Sequence, residues 1–170
     1  MKTIIYILIF LTSTIGFAQD PNLTPFVGTW QWTEGNQTFT VELYIANETF
    51  PGSEGEVIKG NYEMTTNGSL GLTYKSNKLL LPNINYYYEY AIYGGSHNGI
   101  YFSGSVDDNV LFNGDGNYSV KKGQLKFTIQ NGCLGCPITA TWKVSHLGGI
   151  RVGQPQTFTI PTNIVLTKIN

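Results

Sequence analysis

Apolar and polar residues alternate along most of this chain with a period of two, the signature of half-buried β-strands. In FVGTWQW, Phe26, Gly28, Trp30 and Trp32 share one face. In QTFTVELYI, Phe39, Val41, Leu43 and Ile45 share one face, with Thr38, Thr40 and Glu42 on the other. The TEGN between them has the residues of a hairpin turn. EVIKGNYEM continues the alternation through Ile58, Gly60, Tyr62 and Met64. SLGLTY and KLLLP are short strand candidates. The tyrosine-rich run predicts a strand over Asn85–Tyr93. Its two faces are Tyr86, Tyr88, Tyr90 and Ile92, expected to point inward, and Tyr87, Glu89, Ala91 and Tyr93, expected to face solvent. GGSHNG, with His97, reads as a mobile loop after it. GIYFSGSV and NVLF flank an expected turn at Asp107–Asp108, and QLKFTIQ, ITATWKV, QTFTI and NIVLTKI complete the set.

Roughly ten short strands at this spacing predict an all-β sandwich or barrel. No stretch after the N-terminal segment sustains a 3.6-residue apolar period, so little helix is expected. There is one internal echo: TWQW followed by QTFTV (Thr29 to Val41) and TWKV followed by QTFTI (Thr141 to Ile160). Hairpins of similar composition account for it better than duplication.

The N-terminus departs from this pattern. Lys2 precedes an apolar run, Ile4 to Leu11, and Gly16 and Ala18 place small residues before Gln19. Charge, apolar run and small residues come in the order of a secretory signal peptide over residues 1–18. The run is shorter than the roughly 20 residues of a spanning helix. Residues 19–170 are then expected to form one soluble, secreted or periplasmic domain. At about 150 residues that is long enough for a single core.

Composition narrows the partners. The chain has 10 Lys and Arg against 11 Asp and Glu, and only 12% of residues are charged. No basic patch is available to neutralise phosphates, so nucleic acid is excluded as an expected partner. The polar surface must come from Asn, Thr, Ser, Gly and Tyr, which suit strands and turns.

GTWQW, following the leader and opening a β-rich chain, resembles the G-x-W start of the calycin superfamily, which includes lipocalins, fatty-acid-binding proteins and avidins. IKGNYE is similar to the second-hairpin region of avidin-like chains. The resemblance implies an antiparallel barrel with Trp30 at its closed end, Gly28 beside it and a basic residue of the last strand across it. Lys168 is the counterpart here, where the family prefers Arg. The later lipocalin motifs are not evident, and no biotin-contacting residue carries over. The chain also resembles a family of short secreted bacterial proteins of unknown function, with GTWxW near the start and IPTNIxLTKI at the end. The expected fold is an antiparallel calycin-like barrel of eight to ten strands, with a two-sheet sandwich as the alternative that satisfies the same alternation.

Little in the sequence carries chemistry. Cys133 and Cys136, in GCLGC between two strand candidates, read best as a disulfide across a tight loop in an oxidising compartment; free thiols, or a metal or redox role, are the alternatives. His97 and His146 stand in separate loops, too few with one Cys pair for a zinc site. Asn113, Asp115 and Asn117 resemble the start of a calcium loop, but Tyr118 and Gln124 occupy its glycine and glutamate positions. No nucleophile motif and no facing pair of carboxylates can be named, so no catalytic residue, metal or cofactor is expected.

Two functions remain. One is a barrel that holds a small apolar or ring-shaped ligand against Trp32, Tyr86, Tyr88 and Tyr90. The other is a surface module that meets glycan or protein through exposed aromatics. A void lined by Tyr and Trp favours the first, and a filled interior the second.

Overall fold

The computed structural model describes residues 22–51, 53–66, 71–77, 79–81, 84–87, 89–96, 98–110, 120–130, 132–148 and 157–170, without the side chains of 53, 72, 79–81 and 84–87. A 3-10 turn, Thr24–Phe26, leads into β1 (Gly28–Glu34), β2 (Gln37–Phe50) and β3 (Ser53–Thr66). There follow β4 (Leu72–Lys75), β5 (Leu79–Leu81), β6 (Ile84–Tyr87), β7 (Ile92–Ser96), β8 (Tyr101–Asp108), β9 (Lys121–Gln130), β10 (Thr139–His146) and β11 (Asn163–Lys168).

These strands settle barrel against sandwich. Around the ring the order is β1, β2, β3, β7, β8, β9, β10, β11, and β11 returns to β1 through Trp30↔Lys168 and Gln31↔Thr167. The result is a closed antiparallel barrel of eight strands. β4 is an extra strand outside the ring. The far side of β3 takes two partners in succession, β7 along Ile58–Gly60 and β4 along Glu63–Thr66. β5 and β6 form a separate hairpin.

The period-two pattern sets the wall. In β9, Lys121, Gly123, Leu125 and Phe127 are buried while Lys122, Gln124 and Lys126 are exposed. The inward set fills the interior with aromatic rings. Near the Thr24–Phe26 turn, Phe127 meets Trp30 edge-on at 5.0 Å and stacks on Phe102 at 5.2 Å, with Phe26 against Phe102 at 5.4 Å. Further along, Phe39 packs on Trp142 at 5.4 Å and on Tyr62 at 5.6 Å. Each such pair contributes about 0.5–1.5 kcal/mol beyond area burial. Both buried tryptophans satisfy their indole N–H on backbone: Trp30 Nε1 donates to the Phe26 carbonyl and Trp142 Nε1 to that of Pro161, each at 2.8 Å.

One end of the barrel closes on Trp30. Lys168 Nζ lies 5.4 Å from the Trp30 ring centroid and donates to the Pro25 carbonyl at 3.3 Å. Gly28 has φ +123°, and a Cβ there would run into the Asn170 carbonyl and approach Lys168 Cε to 3.0 Å.

The other end is held by buried polar groups. Tyr62 Oη donates to Asn109 Oδ1 at 3.1 Å, Asn109 Nδ2 donates to the Ser76 carbonyl at 2.7 Å, and Tyr74 Oη donates to the Asn109 carbonyl at 2.7 Å. Burial, with Tyr74 and Asp108 nearby, pushes the Tyr62 phenol well above its ordinary range. Asp108 points inward and accepts from the Thr159 hydroxyl at 2.8 Å and the Ile160 amide at 3.3 Å.

Several sequence expectations change. The tyrosine run is not one strand from Asn85 to Tyr93: β6 ends at Tyr87, β7 begins at Ile92, and Glu89–Ala91 lie between strands. Its alternation breaks there too, since Ala91, expected outside, is buried. Gly94, Gly95 and Ser96 belong to β7, not to a loop; His97 lies outside the described residues. Asp107–Asp108 is the end of β8, not a turn; of NVLF, Asn109 and Val110 are non-strand, and Leu111 and Phe112 lie outside the described residues. In QTFTI, Thr157–Ile160 form no strand, because their amides turn to Asp108 instead of a ladder. The echo of TWQW–QTFTV therefore has no structural counterpart at Phe158. Residues 1–21 and the calcium-like Asn113–Asn117 lie outside the described residues.

Two glycines with positive φ separate strain from crowding. Gly35, in the β1–β2 turn, has φ +59° and nothing within 4 Å of an added Cβ. Gly35→Ala should cost about 1–2 kcal/mol in urea unfolding, and Gly28→Ala more than about 3 kcal/mol, since it adds a backbone clash to the dihedral penalty. Equal costs would refute the tight β1–C-terminal contact.

Candidate functional site

The outward positions of β2 and β7 carry two tyrosines outside the core, Tyr44 and Tyr93, and β3 runs between them. Ladder register puts Lys59 opposite Tyr44 on one side and Tyr93 on the other, a row across three strands. The β2–β3 hairpin pairs Phe50 with Ser53, and counting back from that pair fixes Tyr44 against Lys59. Glu48 ties the row together: Lys59 Nζ stands 2.8 Å from its Oε1, and Tyr93 Oη donates to its Oε2 at 2.8 Å. Lys59 Nζ also sits 4.3 Å from the centroid of the Tyr90 ring, which packs on Tyr93 at 5.8 Å. Val57 is buried at 6% although it lies on this outward face and outside the main core cluster. The exterior here is a packed structure in its own right.

Tyr90 reaches this place because the chain before β7 is anchored to β3. The Ala91 amide donates to the Gly60 carbonyl at 2.9 Å, and Asn61 Nδ2 donates to the Glu89 carbonyl at 3.1 Å. Gly60 has no alternative there, since a Cβ would meet the Glu42 carbonyl and Leu43. Beside the tyrosines runs a polar groove of about 150 Å³, lined by Thr29, Thr40, Glu42, Asn61, Glu63 and Lys75 among others. Lys75 Nζ lies 3.3 Å from Glu63 Oε2.

The electrostatics follow from these contacts. The Lys59 and Tyr93 hydrogen bonds hold the Glu48 carboxyl below its ordinary 4.5. The same Glu48 contact raises Lys59. Burial and the Glu48 contact raise Tyr93 above 10.0, and burial with the nearby Glu89 charge raises Tyr44. The site therefore presents fixed rings, a paired charge and amide groups: the equipment for stacking and hydrogen bonding. Among the described residues no group of three or more His, Cys, Asp and Glu is placed to hold a metal ion.

The four residues named for ligand contact do not share one place. Trp32 is half-buried on the inner side of β1 and packs against the core, while Tyr90 lies outside the barrel wall. The side chain of Tyr86, and Tyr88 altogether, fall outside the described residues. Tyr93 lies on the outward face, and Glu89 is exposed. Gly28, Trp30 and Lys168 meet at the barrel end described above. Cys133 and Cys136 form a disulfide, with Cα atoms 5.2 Å apart, in the β9–β10 connection. Sequence reasoning missed Tyr44, Glu48, Lys59 and Asn61. Tyr44 and Lys59 were within its reach, because alternation places both outward.

Residues 1–130 match a family of unknown function (DUF6705). The chain belongs to this family. The DUF6705 match ends with β9, so it includes GTWQW but neither IPTNIVLTKI nor β10 and β11, the strands that complete the ring. No curated protein and no solved structure matches the chain.

The Glu48 contacts predict a titration. Its depressed pKa means that its contribution is present above the ordinary 4.5 and is lost as pH falls through the depressed value. Tyr93 has the opposite sign: its contribution is present below 10.0 and is lost as pH rises through the raised value. In a carboxyl-detected NMR titration, Lys59→Met should return Glu48 toward 4.5 further than Tyr93→Phe does, because Lys59 is the larger cause. An unchanged Glu48 in Lys59→Met would disprove the linkage.

Proposed function

We propose that this protein is a secreted, non-enzymatic β-barrel that binds glycan with the outer face of β2, β3 and β7, not with its lumen. The observation that carries this reading is the division of aromatics. Trp30, Phe39, Phe102, Phe127 and Trp142 fill the interior with at most 1% exposure, while Tyr44, Tyr90 and Tyr93 stand outside. Rings already fixed by Glu48 and Lys59 lose little freedom when a partner stacks on them. The adjacent groove, at about 150 Å³, is smaller than the roughly 300 Å³ at which drug-sized ligand pockets begin. It offers carboxylate, amide, hydroxyl and ammonium groups within reach of the rings, the combination that recognises sugar hydroxyls and a sugar's apolar face together. The lysines of this face are each held by a carboxylate, Lys59 by Glu48 and Lys75 by Glu63, an arrangement that favours binding over catalysis. The leader-like residues 1–18 support secretion.

Titration with neutral oligosaccharides should shift the ring resonances of Tyr90 and Tyr93 and leave the indole N–H signals of Trp30 and Trp142 in place. Tyr90→Ala with Tyr93→Ala should weaken binding at least tenfold, since it removes both rings on which the apolar face of a sugar would pack. Indole shifts with fatty acids or retinoids would instead support a ligand in the lumen. N-terminal sequencing of secreted protein should begin at Gln19; a retained Met1 would refute the processing.

A further inference from the structure

The two cysteines of the chain carry chemistry that the glycan reading leaves unused. Their disulfide lies in the β9–β10 connection, on strands that take no part in the face of β2, β3 and β7. Nothing in this hairpin needs a covalent clasp. Its ladder runs unbroken from Thr139↔Gln130 to His146↔Gly123. At the base of the connection the Gln130 side chain donates to the Thr141 hydroxyl at 2.8 Å and accepts from that of Thr139 at 3.1 Å. The Lys168 amide donates to the Ile138 carbonyl at 2.8 Å, which ties the end of the connection to β11.

The turn that carries the sulfurs is also closed without them. The Cys136 amide donates to the Cys133 carbonyl at 3.0 Å, and Gly135, at φ +84°, supplies the left-handed third residue that such a turn requires. The cysteines are only three positions apart, so among disulfides theirs restrains the unfolded chain least. A staple placed here would duplicate what hydrogen bonds already do.

Access is the second observation. Residues 132–138 are all exposed, both cysteines included. Leu134, between the two cysteines, is 106% exposed, so its side chain is not folded over the sulfurs. Each cysteine follows a glycine. An added Cβ at Gly135 would meet nothing within 4 Å, and one at Gly132 would meet only Cys136 and Pro137 of the same turn. A thiolate in solvent can therefore reach either sulfur. Disulfides that hold a fold resist exchange, whereas exposed ones are the labile and regulatory ones.

We infer that Cys133–Cys136 is a thiol–disulfide exchange site, a two-electron couple carried on the barrel and not a structural staple. Its co-reactant is an external thiol, as two separate molecules or as one dithiol. A donor thiolate attacks the Sγ of one cysteine, the S–S bond breaks, and the other cysteine leaves as a thiolate and takes up a proton. A second donor thiol attacks the mixed disulfide, which forms the donor disulfide and releases the first cysteine as a thiol. Two thiols are oxidised, one disulfide is reduced, and two protons end on Cys133 and Cys136. Because ladder and turn persist without the bond, the couple can cycle while the barrel stays folded.

The test equilibrates full-length protein, without denaturant, in glutathione buffers of graded reduced-to-oxidised ratio, then alkylates it and counts thiols by mass. The doubly alkylated chain should rise through half of the population as the ratio increases. Amide shifts between the two forms should be confined to residues 130–140, and the indole N–H signals of Trp30 and Trp142 should not move. A disulfide that stays closed in the native protein at every ratio would overturn the proposal. So would reduction that shifts signals across the whole barrel or melts it, since the bond would then be holding the fold.

Discussion

Trp30 and Lys168 face one another where the first strand of the ring meets the last. Everything else in the barrel depends on that seam. A sheet of these strands would otherwise leave two open edges, and closing it removes both. The closure is demanding because its partners are remote in the chain: Lys168 donates to a carbonyl 143 residues away. Such pairing is slow to find and must be held firmly once found. The structure holds it with a tryptophan whose N–H bonds the Phe26 carbonyl and whose ring meets Phe127 and the Lys168 ammonium, and with a glycine that lets the strand start pass under the C-terminal residues.

Closure also explains where the polar chemistry went. Once the interior is filled by rings, tyrosines beyond that capacity must lie outside, where their hydroxyls can be wet or bonded. Tyr93 and Tyr90 do this on a frame made by Lys59 and Glu48. Tyr62 and Tyr74 are the intermediate case: their rings pack inward and their hydroxyls meet at Asn109, whose side-chain oxygen accepts from one phenol and whose backbone carbonyl accepts from the other. Burying such groups is tolerable only because each is partnered.

Much of this was legible in the sequence. β1, β2, β3, β9, β10 and β11 stand where alternation places them, because each has one face on the core and one in water. The Trp30 end could be anticipated from three residues. What failed was decided by distant contacts. Asp107–Asp108 has the composition of a turn, yet Asp108 completes β8 because its carboxylate receives the hydroxyl of Thr159 and the amide of Ile160, about 50 residues on. The tyrosine run alternates well enough for one strand, yet it breaks at Glu89–Ala91 because Ala91 is claimed by the carbonyl of Gly60. No local pattern contains either partner. The same limit hid Glu48, whose role depends on a hairpin register and on a tyrosine from β7.

The direct pairing of β3 with β7 separates the ring from its own excursion. Ile58↔Gly94 and Gly60↔Ile92 complete the wall without help from β5 and β6, which pair only with each other among the described residues. Loop closure costs grow slowly with length. Chains built on this plan can therefore lengthen, shorten or replace the segment between Asn77 and Glu89 without opening the barrel, while Ser76 stays tied to Tyr62 and Asn109. That makes it the part of the fold where sequence can diverge fastest, beside a tyrosine frame that stays in place.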